Sequence, residues 1–291
     1  RCNMACPKCY AETFVNRDAI GDDALIDALQ QFHELGVFHY VLQGGEVTMA
    51  PERLETILTH CHPDESYINV ISNAWGMTPR RVRWLRDLKV DKIAFSLDSG
   101  IEAEHDAGRK PGSFQWVMRA VDTVLDAGLL TSISTVVTHE SLYSEGFNRA
   151  LEFARTKEIR IDVQIAEPVG KWDGRRDLLI TPEDAAYIKR LQQSMGRLAN
   201  GQYMIGRDVY TGARDHCPAG TEFMGLSADG ELLPCNFLQY SLGNIRDRRI
   251  ADMRAAILKS PWFDGNRPNC IIGEDPAFID EFVAPYLDNA K

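Results

Sequence analysis

Three cysteines fall within the first nine residues, Cys2-Asn3-Met4-Ala5-Cys6-Pro7-Lys8-Cys9, and Tyr10 closes the run with an aromatic ring. Thiolates are the usual ligands of iron–sulfur clusters, and three on one tight loop can hold three irons of a [4Fe-4S] cube. The fourth iron then lacks a protein ligand and stays open to a chelating small molecule. Two other chemistries compete for the same residues. A zinc site wants a fourth Cys or His nearby, and the nearest histidine is His33. A thioredoxin-like CxxC would use Cys6 and Cys9 and leave Cys2 without a role. Seven cysteines, an odd number, with no secretory signal before them, speak for metal or redox chemistry over disulfides.

The elements that must position this loop alternate. Residues 22–35 read as a helix closed by Gly36, and 37–42 as a strand. A helix opened by Pro51 leads to a strand at 67–71, and a helix at 80–88 leads to a strand at 92–97. Helices at 114–127 and 147–156 precede strands at 131–137 and 160–165 in the same way. Strands separated by helices of this length imply a parallel sheet of βα units. Five strands are visible, and a sixth is expected in a segment ahead of Arg1, which the chain reads as lacking. Beyond residue 180 the pattern changes. Thr181 and Pro182 open a helix running to about Ala199. A hairpin follows (222–227 and 231–235, turning at Ala228-Asp229-Gly230), then a short helix at 251–259 and a Pro/Gly-rich stretch around Cys270.

Polar residues stand at the ends of successive strands: Gln43-Gly44-Gly45-Glu46, Ser72-Asn73, Ser96-Leu97-Asp98-Ser99, His139-Glu140 and Glu167-Pro168. Barrel enzymes place their chemistry at this end of their strands. With the cysteine triplet, these segments make the chain resemble the radical S-adenosylmethionine (SAM) superfamily over about residues 1–180. The resemblance implies an α/β fold, a partial (β/α)6 barrel. It implies that Cys2, Cys6 and Cys9 hold a [4Fe-4S] cluster whose open iron takes SAM. A reductant such as flavodoxin or ferredoxin would feed that cluster. One electron would split SAM into methionine and a 5′-deoxyadenosyl radical that abstracts hydrogen from a C–H bond. Tyr10, Gly44, Gly45, Glu46, Ser72, Asn73, Ser96, Asp98 and Arg109 are the expected SAM-binding residues, the glycines because they let backbone approach a ligand. Arg109 is a candidate bidentate partner of the SAM carboxylate, or simply a solvated surface residue.

The remaining cysteines divide. Cys217 and Cys235 bracket the hairpin in a Cx12Gx4C arrangement followed by Leu242-Gly243-Asn244-Ile245. This resembles the SPASM and twitch domains, which carry auxiliary [4Fe-4S] clusters. Only Cys270 follows, and Cys270-Ile271-Ile272-Gly273 has glycine where a second CxxC would end. A two-cluster SPASM domain is therefore excluded by count. Cys217, Cys235 and Cys270 are the expected ligands of one auxiliary cluster, with Asp275 or His216 as a possible fourth. Alternatively they are buried structural thiols, or Cys235 is catalytic and returns a hydrogen atom to a substrate radical. Cys61, between His60 and His62, reads as a plain helix end. The expected organisation is a barrel over 1–180, a linker helix over 181–209 and a twitch-like unit over 210–291.

A net charge of −10 speaks against nucleic acid, which needs a basic face. No run is long and apolar enough to cross a bilayer and no lipidation motif appears, so the sequence reads as cytoplasmic, with no membrane partner. The acidic surplus, including Glu274, Asp275, Asp280 and Glu281 beside Cys270, would suit a cationic small molecule. The expected function is therefore epimerisation or dehydrogenation of a carbohydrate- or aminoglycoside-like substrate. The alternative is modification of a ribosomal peptide by thioether formation or epimerisation. A non-catalytic iron–sulfur or zinc protein is the further alternative, but it has no use for the strand-end residues.

Overall fold

Tyr67–Ser72 alternates half-buried and buried residues, with Ile68, Val70 and Ser72 on the buried side. That period of two recurs in register across a sheet whose strands are β1 (His39–Leu42), β2 (Tyr67–Ser72), β3 (Lys92–Ser96), β4 (Leu130–Val137), β5 (Arg160–Ile165) and β6 (Ile205–Arg207). The order is β1-β2-β3-β4-β5-β6 with every neighbouring pair parallel. The computed structural model describes residues 1–14, 17–207, 216–263, 267 and 269–283.

One face of the sheet is apolar. Ile68, Val70, Ile93, Phe95, Ile133 and Val163 are fully buried there. Helix α1 (Asp22–Glu34) leads into β1, and α2 (Pro51–His60), α3 (Pro79–Asp87), α4 (Glu102–Gly108), α5 (Ser113–Asp126) and α6 (Glu145–Thr156) connect the strands that follow. Their starts follow local chemistry: Thr78 caps α3 by accepting from Arg81 N, and Ser144 caps α6 by accepting from Phe147 N. The opposite face carries Asn69, Lys92, Ser134 and Asp162, which line one cavity. A parallel sheet normally buries apolar residues on both faces. Here the alternation marks a half-barrel, curved around a polar interior. β1 and β6 are its two edges and do not pair.

A sixth strand lies within the chain itself. It is Ile205–Arg207, delivered to the edge of β5 by α7 (Pro182–Met195) and the turn behind it. α7 starts with a complete capping box between Thr181 and Asp184. It stops at Gly196, short of Ala199, because Gly196 turns to φ +70. The segment expected to be a linker thus supplies a strand of the sheet. Gly206 lets the ends of two side chains lie over the strand: a Cβ would stand 1.9 Å from Arg160 Nη2 and 2.5 Å from Asp162 Oδ1 and would push them aside.

The C-terminal unit holds a three-stranded antiparallel sheet, β7 (Gly225–Leu226), β8 (Glu231–Leu233) and β9 (Gly243–Asn244). The predicted hairpin is present with shorter strands, turning at Gly230, whose φ is +91. Helices α8 (Ile250–Ile257), α9 (Ile271–Glu274) and α10 (Pro276–Phe278) follow. The expected boundary at residue 210, and part of the Pro/Gly-rich stretch before Cys270, lie outside the described residues.

Candidate active site

The cysteine loop lies across the C-terminal ends of β1, β2 and β3 and is clamped from two sides. On the first side, Glu46 N donates to the Arg1 carbonyl at 2.8 Å. Gly45 permits this approach, since a Cβ there would meet the Arg1 oxygen at 2.0 Å. The buried Glu46 carboxylate is a hub. Its Oε1 accepts from Thr48 Oγ1 and Ser72 Oγ, both at 2.8 Å, and its Oε2 accepts from Asn73 N at 2.7 Å. Asn73 Nδ2 then donates to Asn3 Oδ1 at 2.8 Å, inside the loop.

The second clamp is ionic. Arg109 donates to Asp98 through Nε and through Nη2, the latter at 3.1 Å. Lys8, between two of the cysteines, reaches the same carboxylate at 3.0 Å. Burial alone would raise the Asp98 pKa, but the Arg109 and Lys8 charges outweigh it and hold the carboxyl well below the usual range. His105 sits beneath. Its Nδ1 is 3.2 Å from Asp98 N, and burial with Arg109 nearby lowers its pKa to about 4, so it accepts this bond as a neutral ring.

A third support comes from the C-terminal half. Lys171 N donates to the Cys9 carbonyl at 3.0 Å. Gly170, at φ +62, is needed beside it, because a Cβ would meet Cys9 O at 2.3 Å. Tyr10 packs edge-on against Phe237 with ring centres 5.0 Å apart, and its carbonyl accepts from Gln239 Nε2.

Two of the three thiols, Cys6 and Cys9, are raised by their surroundings. Burial raises Cys6, with the Arg109 charge opposing and Asp98 and Cys2 adding to the rise. Burial likewise raises Cys9, with Cys6 and Cys2 contributing. This is an electron-rich donor set beside a guanidinium, which suits an iron–sulfur core. Among the described residues, no three His, Cys, Asp or Glu side chains form a group that could hold a single ion. Thiolates on different corners of a cube stand wider apart than that.

The expected SAM residues meet different fates. Gly44 is exposed with open space around it, and Ser96 ends β3 opposite Ser134. Glu46, Ser72 and Asn73 are tied to each other, and Arg109, largely buried, pairs with Asp98 through Nε and Nη2. Tyr10 is a strut to the C-terminal unit. Sequence reasoning passed over Lys8, Asn3 and Gly170. Lys8 lay inside the motif and Gly170 in a Val-Gly-Lys turn, and neither had a signal of its own.

Cys217, Cys235 and Cys270 share a wall of the large interior cavity, about 840 Å³, that runs in from the polar face of the barrel. Cys270 is buried, and its pKa is raised by that burial and by Glu167, Cys217, Cys235 and Glu274 around it. Asp275 caps α10 by accepting from Phe278 N at 3.1 Å, and His216 Nε2 lies 2.8 Å from Glu222. Cys61 is wholly buried at the end of α2, its thiol pushed up to about 11 by burial, as a core cysteine should be.

A half-barrel of six parallel strands, a triple-thiol loop at its strand ends and a second thiol trio beside a small sheet define an iron–sulfur radical enzyme. Residues 1–154 match the family model of the radical SAM superfamily, and the chain belongs to that family. Residues 217–269 match the SPASM model, an iron–sulfur cluster-binding domain, so the fold implies a [4Fe-4S] cluster with SAM and auxiliary iron–sulfur. The chain is 26% identical over 277 residues to an AdoMet-dependent heme synthase of Nitratidesulfovibrio vulgaris (84% of this chain, 74% of that one). It is 24% identical over 286 residues to a PqqA peptide cyclase of Rhizobium meliloti (94% and 74%). In fold it is similar to anSMEcpe with bound AdoMet and Kp18Cys peptide (TM-score 0.68, 18% identity, 100% of this chain, 96% of that one). It is also similar to Streptococcus suis SuiB bound to precursor peptide SuiA (TM-score 0.66, 17% identity), where it covers 64% of that chain and SuiB covers 92% of this one. Among the described residues no helix is long and apolar enough to cross a membrane.

Proposed function

We propose that this chain modifies a peptide held between the barrel interior and the C-terminal thiols. The cavity carries this reading. Its volume of about 840 Å³ lies within the range of ligand sites, roughly 300–1,000 Å³. It also opens along Leu35–Phe38 at the edge of β1, so a longer chain can enter and leave. PqqA peptide cyclases and peptide-bound SuiB, both similar to this chain, support the same substrate class.

A cationic carbohydrate, the first expectation from sequence, fits the cavity poorly. Its lining includes Lys92, Arg160, Arg197 and Arg254 against Asp162 and Glu222, an excess of positive charge despite the acidic chain. Such a lining repels a polyamine and favours carboxylates. A second reading, a carboxylate-bearing tetrapyrrole, rests on the same lining and on the AdoMet-dependent heme synthase relatives.

In this reading Cys2, Cys6 and Cys9 hold the [4Fe-4S] cluster, and Gly44, Ser96 and the neighbouring backbone receive SAM. Together, when bound, these groups supply hydrogen-atom abstraction. A flavodoxin- or ferredoxin-type donor supplies the electron. Asn3, tied to Asn73 and Glu46, and Lys8, tied to Asp98 and Arg109, fix the loop's position. Cys217, Cys235 and Cys270 hold the auxiliary cluster. Cys235 is a ligand in that trio rather than a lone hydrogen donor, since it shares a wall with two other thiols.

The test is anaerobic incubation of the reconstituted protein with SAM and dithionite, in deuterated water. A pool of short peptides, an aminoglycoside mixture and a tetrapyrrole carboxylate are supplied separately. Peptides are expected to stimulate 5′-deoxyadenosine release. A peptide product lighter by two hydrogens means a new bond, whereas one deuterium at an inverted carbon means epimerisation. Stimulation by the aminoglycosides alone would overturn the peptide reading.

A further inference from the structure

The four cations lining the barrel cavity are not equivalent. On the sheet, Lys92 Nζ and Arg160 Nε both donate to Asp162, at 3.0 and 2.5 Å, and Ser132 Oγ joins them at 3.1 Å. One carboxylate thus answers two cations. Arg197 is exposed, its guanidinium 3.8 Å from the centre of the Tyr203 ring and bonded to the Gly201 carbonyl at 2.6 Å. Water and salt screen a cation in that position.

Arg254 differs. It lines the same cavity as Cys217, Cys235 and Cys270 and is half-buried there. Its helix, α8, is fixed: Ile250, Met253 and Ile257 are buried, and Ile250 N donates to Gln31 Oε1 of α1 at 2.9 Å. Arg254 Nη2 donates to the Thr221 carbonyl at 2.6 Å. Thr221 closes the turn that leaves Cys217, donating through its N to the Pro218 carbonyl at 3.1 Å. In that turn Gly220 N donates to the Pro234 carbonyl, next to Cys235, at 2.8 Å. The guanidinium is therefore held at the loops that carry two of the thiols. Among the described residues no carboxylate pairs with Arg254, and Glu222, beside Thr221, faces His216. A guanidinium has five N–H donors in a fork that matches a carboxylate, and a half-buried cation without a counter-charge favours an anionic ligand. We propose that Arg254 selects the substrate by binding a carboxylate of the peptide, so that the preferred class is an acidic peptide. The inference rests on the peptide reading above. An Asp or Glu side chain and a free C-terminus offer the same group.

The test supplies the reconstituted full chain with SAM, dithionite and, separately, three peptide pools built on the same sequences. The first is blocked at both ends and carries Glu at fixed positions. The second is blocked and carries Gln there, and the third is the Gln pool with a free C-terminal carboxylate. Initial rates of 5′-deoxyadenosine release against pool concentration give kcat and KM. Wild type should prefer one carboxylate-bearing pool to the blocked Gln pool by about tenfold or more in kcat/KM, chiefly through KM. The preferred pool identifies the source of the carboxylate. Arg254→Gln should lose the preference, and Arg254→Lys, which keeps the charge, should retain part of it. Arg254→Glu should turn instead to a blocked pool carrying Lys at the same positions. Circular dichroism and iron per chain check that each variant is folded and loaded. If wild type treats the three pools alike, or Arg254→Gln keeps the wild-type preference, Arg254 does not select the substrate, and the peptide reading stands. If no pool stimulates release or gains a product, the peptide reading and the inference fall together.

Discussion

Arg109 and Asp98 meet just beyond the end of β3, the guanidinium holding the carboxylate through Nε and Nη2 while Lys8 of the cysteine loop also reaches it. The arrangement makes Arg109 a support for the loop through Asp98. Removing the carboxylate leaves two half-buried cations close together without compensation. Breaking a buried pair from one side costs about 3–5 kcal/mol. Asp98→Asn is therefore expected to lower the melting temperature and the iron content together. Thermal unfolding and iron analysis of the anaerobic protein would show both. Because the Asp98 carboxyl is held below its unfolded value of about 3.9, its contribution is present above roughly pH 4 and is lost as pH falls through the depressed pKa.

His105 gives the opposite kind of group and a different window. Its pKa falls from 6.5 to about 4 on folding, so between those values the unfolded chain binds a proton that the folded chain refuses. Stability should fall as pH drops through this window, at no more than about 1.4 kcal/mol per pH unit. Urea unfolding at pH 7, 6 and 5 should show the slope. His105→Asn should flatten it, though with a lower starting stability.

The two glycines of Gly44-Gly45 should behave differently. Gly45→Ala drives a methyl group into the Arg1 carbonyl and should displace the cysteine loop, with a marked fall in cluster content. Gly44→Ala meets open space and should retain its iron. Iron and sulfide counts on the pair separate backbone approach from mere turn formation.

Cys61→Ala, a core substitution remote from either thiol trio, should cost about 1 kcal/mol and leave iron per chain unchanged. A fall in iron would show that Cys61 takes part in cluster binding.

Much of the barrel was legible because five of its strands are runs of four to eight residues with apolar side chains recurring at alternate positions, bounded by helices with recognisable caps. Thr78, Ser144 and Thr181 each cap the helix that follows. The sixth strand was not, since Ile205-Gly206-Arg207 is three residues long and carries a glycine and a charge. It forms a strand because the edge of β5 waits for it, and its glycine leaves room for the side-chain ends of Arg160 and Asp162. The cysteine triplet and the strand-end polar residues were readable as types. Their division of labour was not: Glu46 spends its carboxylate on Ser72, Thr48 and Asn73, a tertiary bond pattern with no local signature. The same holds for substrate charge. The chain is acidic overall, but the cations of β3 and β5 turn inward, and only the alternation along those strands, once their register is known, reveals it.

The most direct measurement of the central claim is the reductive cleavage of SAM by the anaerobically reconstituted protein. Wild type supplied with dithionite and a peptide pool should release 5′-deoxyadenosine well above the no-peptide background. The variant with Cys2, Cys6 and Cys9 replaced by alanine should release none. Failure of fully iron-loaded wild type to form 5′-deoxyadenosine, with or without peptide, would contradict the assignment of these three cysteines to a radical-generating site.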